Sequence, residues 1–409
     1  MPSFAALRER HGFLLSFLAI NTLAGVSVGV AKIATSLYAL HLAAGPGLLA
    51  LIAGAQSAGV LLMSMPLGIL VDQVGPLRLF VFGSLAGGVL YLLTPLLPDP
   101  YFLALTALLI SACMPCRFVS MNAVFMQQIE RLGVAKAGWF RGSHTVGMFL
   151  VGPSLAVSII AVLHFAGTYA LIAALFVLTA SIAPRVMKHY RPSEGRRLGL
   201  RSVIAQFGLL RHEPELREIS LIEFTAQATM QYYSFFIVVI ALQRYGFSPA
   251  AAAGLVTAQG AFFVLSLFVL GHWLQRSGQR RFYLTSFAIL IVALTALGFS
   301  QSALLLWPAA ALLGLGLGML QTVNISRFAR IGARLGRGSV AGINAFVGPA
   351  GGLVGSVLGG WLGARFGLQS TFLLCAPLFA GFAVRLWLDE RNTHTDVLPS
   401  ASSAGASKD

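Results

Sequence analysis

The 409-residue chain carries 28 basic and 13 acidic side chains, a formal charge of +15, yet only 10% of its residues are charged, 57% are hydrophobic and the mean hydropathy is +0.82. Soluble domains carry about 25% charged residues, so this composition excludes a soluble globular domain and places the chain in a bilayer. A nucleic-acid partner is excluded as well, because no soluble domain is left on which the basic residues would cluster.

A bilayer core about 30 Å thick calls for about 20 apolar residues, at a rise of about 1.5 Å each. Twelve such runs are predicted, near 13–42, 47–70, 78–97, 100–127, 140–164, 167–186, 219–242, 248–271, 281–299, 302–325, 339–363 and 367–388. The first continues past signal-peptide length without a small-residue cleavage site and is expected to remain as a membrane helix. Between the sixth and seventh runs lies "KHYRPSEGRRLGLRSVIAQFGLLRHEPELRE", whose middle is expected to form an amphipathic surface helix. The expected organisation is an all-α membrane protein with an N-terminal six-helix bundle over 1–186, a cytoplasmic linker over 187–218, a C-terminal six-helix bundle over 219–390 and a disordered cytoplasmic tail over 391–409.

Orientation follows from the basic residues. With both termini cytoplasmic, all of the 28 Lys and Arg except Lys32, Arg117, Arg244 and Arg365 fall on cytoplasmic segments or helix ends. This is the positive-inside asymmetry of a multi-pass protein of a bacterial-type cytoplasmic (inner) membrane, and it accounts for the net charge, with anionic lipid headgroups as neighbours. Cys113, Cys116 and Cys375 all sit inside apolar runs, so there is no disulfide framework and no zinc spacing.

The chain repeats itself. "GILVDQVGPLRLF" after the second run has a counterpart in "GHWLQRSGQRRFY" after the eighth, matching Gly68, Gly75 and Arg78 with Gly271, Gly278 and Arg281 at a common offset of 203. "GMFLVGPSLA" in the fifth run likewise matches "AFVGPAGGLVG" in the eleventh. Two six-helix repeats joined by a polar linker read as a transporter whose halves rock about a central site.

The loop carrying Gly68, Leu70, Asp72, Gly75 and Arg78 resembles the G-x-L-x-D-x-x-G loop between helices 2 and 3 of the major facilitator superfamily, with Gln73 and Pro76 standing where that family usually has basic residues. The resemblance spans about residues 10–390 and implies the twelve-helix major facilitator fold, a monomer and alternating access. It also implies that Asp72 faces the N-terminal end of the eleventh helix near Ser339 to Gly342, which makes Gly68, Asp72, Gly75 and Arg78 gating residues; a solvated loop aspartate is the other reading. "GSHTVGMFLVGPS", with Gly142, Gly147, Gly152 and Pro153, is similar to the fifth-helix motif of the drug/proton antiporters of that superfamily and implies efflux, with Gly152 and Pro153 as further gating residues. Ordinary small-residue packing would produce the same run.

Polar residues inside spans are costly, about 2.5–3.5 kcal/mol for a central charge, and seldom face lipid. They concentrate on the first run (Asn21, Lys32, Thr35), the fourth (Arg117, Asn122), the seventh (Glu223, Gln227, Gln231) and the tenth (Gln321, Asn324). In the family these four helices line the cavity, so these residues, Glu223 apart, are the candidate substrate contacts. Arg117, in "MPCRFVSMNA", also resembles a helix-4 arginine of proton-coupled members, although Met121 replaces the usual glycine; capping carbonyls near Pro115 is its structural alternative. Lys32 either lines the cavity or snorkels outward.

Lys32 and Arg117 are set against a single intramembrane acid, Glu223, which favours an anionic, zwitterionic or neutral amphipathic solute over a cationic one. Proton coupling requires groups that change charge; the carboxyl of Glu223 and the imidazole of His144 are candidates, with Arg117 assisting. Their bland readings are a Glu223–Arg217 pair and a packed histidine. No phosphate-binding Gly-rich loop is present, so ATP drive is not expected; neither is a cofactor or an enzyme constellation. The reading is proton-coupled efflux of a small organic solute. The alternatives are proton symport of an organic anion or metabolite, a receptor or assembly factor on the same fold, and copper transport through Cys113, Met114, Cys116 and Met121, which a neighbouring arginine opposes.

Overall fold

The computed structural model describes residues 4–132, 137–187, 190, 208–270, 276, 278–335 and 337–395, and every regular element among them is helical. In chain order these are α1 (Phe4–His41), α2 (Pro46–Val74), α3 (Pro76–Leu93), a 3-10 turn (Thr94–Leu96), α4 (Pro100–Leu132), α5 (Ala137–Val146), a π-helical turn (Gly147–Val151), α6 (Gly152–Met187), α7 (Leu209–His212), α8 (Pro214–Tyr245), α9 (Pro249–Val269), α10 (Gln279–Phe299), a second 3-10 turn (Ala303–Leu305), α11 (Leu306–Leu335), α12 (Arg337–Phe366) and α13 (Thr371–Thr395).

The helix starts are written in the sequence. Proline opens α2, α3, α4, α8 and α9, where its missing N–H costs nothing and its fixed φ fits the first turn. Asp99 accepts the Tyr101 and Phe102 N–H groups at 2.8 and 2.9 Å to cap α4, and Ser248 accepts from Ala251 N at 3.2 Å to cap α9. At the other end of α8, Gly246 takes the left-handed conformation (φ 64) that stops the helix. Several helix ends run further than their apolar runs, α11 as far as Leu335. α1 begins at Phe4 because "FAALRER" is rich in strong helix formers, and α13 continues to Thr395, five residues into the segment expected to be a disordered tail. Most of the linker, including the expected amphipathic helix, lies outside the described residues.

Among the described residues, eleven helical stretches are long and apolar enough to cross a membrane. One of them, Gly142–Met187, has 46 residues, which at about 1.5 Å each is about 69 Å, more than twice the bilayer core. At His164 its backbone leaves the helix (φ 54, ψ −172), so the stretch folds back into two arms. The fifth and sixth runs part at this residue.

Packing repeats along the chain. α2 packs on α4, α4 on α3 and α3 on α6; correspondingly α9 packs on α11, α11 on α10 and α10 on α13. α1 lies against α5, the π-turn and α6 as α8 lies against α12. Glycines make the last two contacts possible. A methyl on Gly25 would sit 2.1 Å from the His144 carbonyl oxygen, and one on Gly29 2.3 Å from that of Met148. In the matching place, methyls on Gly351 and Gly355 would sit 2.2 and 2.3 Å from the carbonyl oxygens of Phe224 and Ala228. These are backbone-to-backbone contacts of the small-residue kind that membrane helices use.

Two further seams join the early and late helices. Along α2 and α12, Gly54 meets Val357 and Gly360 meets Ala50; between the fifth span and α9, Gly260 meets Phe149 and Gly142 meets Phe268. The core of the bundle is dense, with Tyr169, Tyr232, Tyr233, Tyr283, Phe236 and Phe287 fully buried. Outside, Phe82, Val89, Val162, Leu304 and Trp361 stand exposed, an apolar exterior suited to lipid.

A polar chain through α1, α8, α11 and α10

Glu223, Gln227 and Gln231 recur every four residues and so project from one face of α8. At the far end of this face Lys32 of α1 donates from Nζ to Gln231 Oε1 at 3.0 Å. Gln227 Nε2 donates to Glu223 Oε1 at 2.9 Å and approaches Gln321 Oε1 of α11 at 3.5 Å. Asn324, one turn along α11, donates from Nδ2 to Glu223 Oε2 at 2.7 Å, and the Tyr283 hydroxyl of α10 donates to Asn324 Oδ1 at 2.7 Å. α2 and α12 close in beside Gln231, where a methyl on Gly352 would lie 3.1 Å from Ser57 Oγ and 3.7 Å from Gln231 Cβ.

The electrostatics are balanced along this chain. Both oxygens of Glu223 accept from amide N–H groups, and the residue is 4% exposed. Lys32 supplies the opposite charge. Eight residues of helix separate Glu223 from Gln231, about 12 Å along the axis, and the amide of Gln227 lies between. Such a face offers a cation at one end, an anion at the other and amides that both donate and accept.

The polar chain continues beyond Asn324 to the helix ends. The Arg327 guanidinium lies 5.4 Å from the centre of the Tyr283 ring and donates to Glu218 Oε1 at 3.1 Å, with Glu215 at 3.7 Å. Arg334 reaches Glu213 and Glu215 at 3.2 and 3.3 Å. α8 and α11 are thus clasped by ion pairs at the end from which α8 starts.

Other sequence-selected residues lie elsewhere. Arg117 is 3% exposed and turns away from this face. Its guanidinium stacks 3.8 Å from the centre of the Phe176 ring, lies 5.5 Å from that of Phe80, and donates from Nη2 to Thr179 at 3.0 Å. The arginine therefore belongs to the packing of α3, α4 and α6, and its Nε finds no acceptor among the described residues. Pro115, the expected reason for a capping role, is inside α4. Asn21 and His144 tie α1 to α5: Asn21 Nδ2 donates to Ser143 Oγ at 2.8 Å, and His144 Nδ1 lies 3.3 Å from the Asn21 carbonyl with its ring edge-on to Phe118. Thr35 is buried in α1, and Asn122 is exposed on α4.

Of the gating set, Gly152 touches Gly29 of α1, Pro153 is buried beside it, and Arg78 is exposed at the start of α3. Gly75 links α2 to α3 with φ 89, ψ 146. Gly68 lies within α2, and the side chains of Asp72 and Ser339, where the Asp72 contact is expected, lie outside the described ones. Sulfur fills packing space: Cys116 lies under Gly83 at the α3–α4 contact and Met121 joins Phe17 and Phe80. Among the described residues no three His, Cys, Asp or Glu side chains are grouped to hold a metal.

Tyr283, Arg327 and Glu218 escaped the sequence reading. The ninth span is not among the helices expected to line the cavity, and Arg327 counts there only as one more basic residue near a helix end. A tyrosine about one turn into an otherwise apolar span was the available signal.

A bundle of apolar helices with a polar chain through its middle defines a multi-pass membrane protein of the transporter type. The sequence profile described as the Major Facilitator Superfamily matches residues 13–255 and 219–408, and the chain belongs to that family. Similar solved structures agree on the fold. The nucleoside transporter NupG superposes with a TM-score of 0.71 at 15% identity, covering 92% of this chain and 98% of that one. A bacterial homologue of the human lysosomal transporter Spinster, in an inward-facing unoccupied conformation, gives 0.70 at 13% identity over 96% and 99%. The human organic anion transporter MFSD10 (TETRAN) gives 0.65 at 16% over 92% and 99%. No curated protein sequence matches the chain.

Proposed function

We propose that this protein is a proton-coupled secondary transporter of a small polar organic solute, zwitterionic or neutral, working by alternating access. The observation that carries the reading is the polar chain from Lys32 through Gln231, Gln227 and Glu223 to Asn324, set in an otherwise apolar bundle. With Arg117 committed to the packing of α3, α4 and α6, the face holds one charge of each sign. A zwitterion or a neutral solute rich in donors and acceptors suits it better than a plain anion. Glu223 is the coupling group, being the carboxylate that shares an amide with the solute face.

The halves that alternate are two six-helix bundles, residues 1–186 and 219–390, a division supported by the recurring helix pairings and glycine contacts. Both termini lie in the cytoplasm, as the distribution of Lys and Arg indicates, and the protein works as a monomer in a bacterial-type inner membrane among anionic headgroups. Export is supported by the Gly-Pro run of the fifth span. The α2–α12 seam near Gly54 and Gly360 lies beside the His41–Pro46 connection, so on this orientation it joins the early and late helices at the periplasmic end, as the Gly142–Phe268 contact joins them at the cytoplasmic end.

The test is purified protein in liposomes with an internal pH dye, challenged with zwitterionic, neutral, anionic and cationic solutes. A zwitterionic or neutral solute is expected to move protons in the wild type and not in Glu223→Gln. Should radiolabelled solute equilibrate with no proton movement in the wild type, the coupling reading fails. Proton movement driven only by cations would overturn the solute class.

A further inference from the structure

Glu223 is joined to the ion-paired helix ends by a bridge that the solute face does not need: Asn324, Tyr283 and Arg327. We propose that Asn324 and Tyr283 form a relay that couples the protonation of Glu223 to the Arg327–Glu218 clasp between α8 and α11. The relay rests on the reading of Glu223 as the group that binds the proton.

With Glu223 ionised, every donor in the chain points one way. The Tyr283 O–H donates to Asn324 Oδ1 and the Asn324 N–H donates to Glu223 Oε2, each at 2.7 Å. One proton from the aqueous phase added to Oε2 turns that oxygen into a donor. Its acceptor within reach is Asn324 Oδ1, so the amide turns over and presents its N–H to the Tyr283 oxygen. The phenol hydrogen then loses its partner. Asn324 and Tyr283 are 0% and 1% exposed, so water does not replace that partner, and an unsatisfied buried donor is costly. Glu218 lies near enough to Tyr283 to interact with it electrostatically and is already held by Arg327 at 3.1 Å, with Arg327 over the same ring. The phenol therefore competes with Arg327 for Glu218, and the clasp loosens.

The other charged or titratable groups around this stretch are Glu213 and Glu215 on α8 and Arg334 on α11, which complete the clasp, the exposed Arg217 on α8, Arg330 on α11 and Arg211 and His212 on α7, and Lys32 of α1, bonded to Gln231 two turns on. Among the described residues, α12 and α9 face α8 with the glycines at 351 and 355 and with Gln259, whose Nε2 meets Met230. Glu223 is thus the buried acid able to drive the relay. Gln227, which shares its N–H groups between Glu223 and Gln321, brings the solute face into the same chain. Asn324 and Tyr283 are positioning residues in this scheme; the proton resides on Glu223.

Hydrogen exchange by mass spectrometry on the full chain, reading peptides across 213–220 and 325–335, tests this without any solute. At one fixed pH, Glu223→Gln stands for the protonated acid and is expected to speed exchange in both segments by about threefold or more. In a Tyr283→Phe background the same substitution is expected to add nothing. Acidifying the wild type, with intrinsic rates corrected, should reproduce the loosening, and Glu223→Gln should not respond; this arm leaves the relay residues intact should Tyr283→Phe fail to fold. Unchanged exchange in Glu223→Gln, or an effect that persists undiminished without the phenol hydroxyl, overturns the relay. If exchange is unchanged but solute-driven proton movement is lost in Glu223→Gln, the relay falls while the coupling reading stands. If exchange responds through Tyr283 while proton movement survives, the relay stands and the coupling reading falls.

Discussion

Gly75 and Gly278, 203 positions apart, hold the same backbone conformation: φ 89, ψ 146 in the first and φ 77, ψ 154 in the second. Each immediately precedes a membrane helix, α3 or α10. This region of backbone space is essentially closed to side chains, so the repeat read from letters is also a repeat of geometry.

Gly75→Ala and Gly278→Ala are therefore each expected to cost about 1–3 kcal/mol, and by similar amounts. Thermal melting of the detergent-purified protein reads this, with Gln73→Ala, an exposed neighbour, as the unaffected control. A melting temperature unchanged in either glycine variant would contradict the shared constraint.

The backbone contacts of Gly29 and Gly355 make a second prediction. A leucine at either position has no room against the Met148 or Ala228 carbonyl, and the obstacle is main chain that no rotamer change removes. The cost should exceed the usual overpacking range of about 1–3 kcal/mol. Size-exclusion chromatography should show lost or aggregated protein for both, and a monodisperse, active Gly355→Leu would show that α8 and α12 do not need this approach.

Arg117 is expected to be replaceable. A buried cation held by two rings and a hydroxyl contributes packing, and exchanging such groups for apolar ones of similar volume is often neutral. Arg117→Met should keep solute-driven proton movement within about twofold of wild type, whereas Arg117→Ala, which leaves a cavity between Phe80 and Phe176, should lose stability by a few kcal/mol. If Arg117→Met folds normally but no longer moves protons, the arginine takes part in coupling after all.

Lys32 should behave differently. Its amine bonds Gln231 across α1 and α8, and hydrogen bonds to charged groups contribute about 1.5–3 kcal/mol. Lys32→Met should raise the KM for solute by about tenfold or more with little change in melting temperature. A lowered melting temperature with an unchanged KM would make the pair structural.

What could be read in advance followed from lipid. In the hydrocarbon core a helical chain must satisfy its backbone within long apolar segments, so the runs are legible, and the 164–167 break coincides with His164. The Glu223, Gln227, Gln231 face is legible because helical spacing alone puts them together. Arg117 is different: spacing shows which residues share a face of α4 and says nothing about which neighbour that face meets. Tyr283 was hidden for a related reason, since one hydroxyl hardly alters the hydropathy of a span, and its value comes only from Asn324 and Arg327 arriving from α11.

The bend at His164 governs more than two helices. Between residues 142 and 187 the sequence offers no charged residue before Arg185, so no charge marks a halfway point for the machinery that threads the chain into the bilayer. The turn is made by a backbone reversal at one residue. If that reversal failed, the number of crossings would change parity and every later residue would emerge on the opposite face of the membrane. The basic cluster that follows, Arg185 with Lys188, Arg191, Arg196, Arg197 and Arg201, opposes that outcome, because it would have to be carried across with the chain. On the orientation proposed above, the side of the membrane reached by every later helix is thus guarded by charges that lie outside those helices.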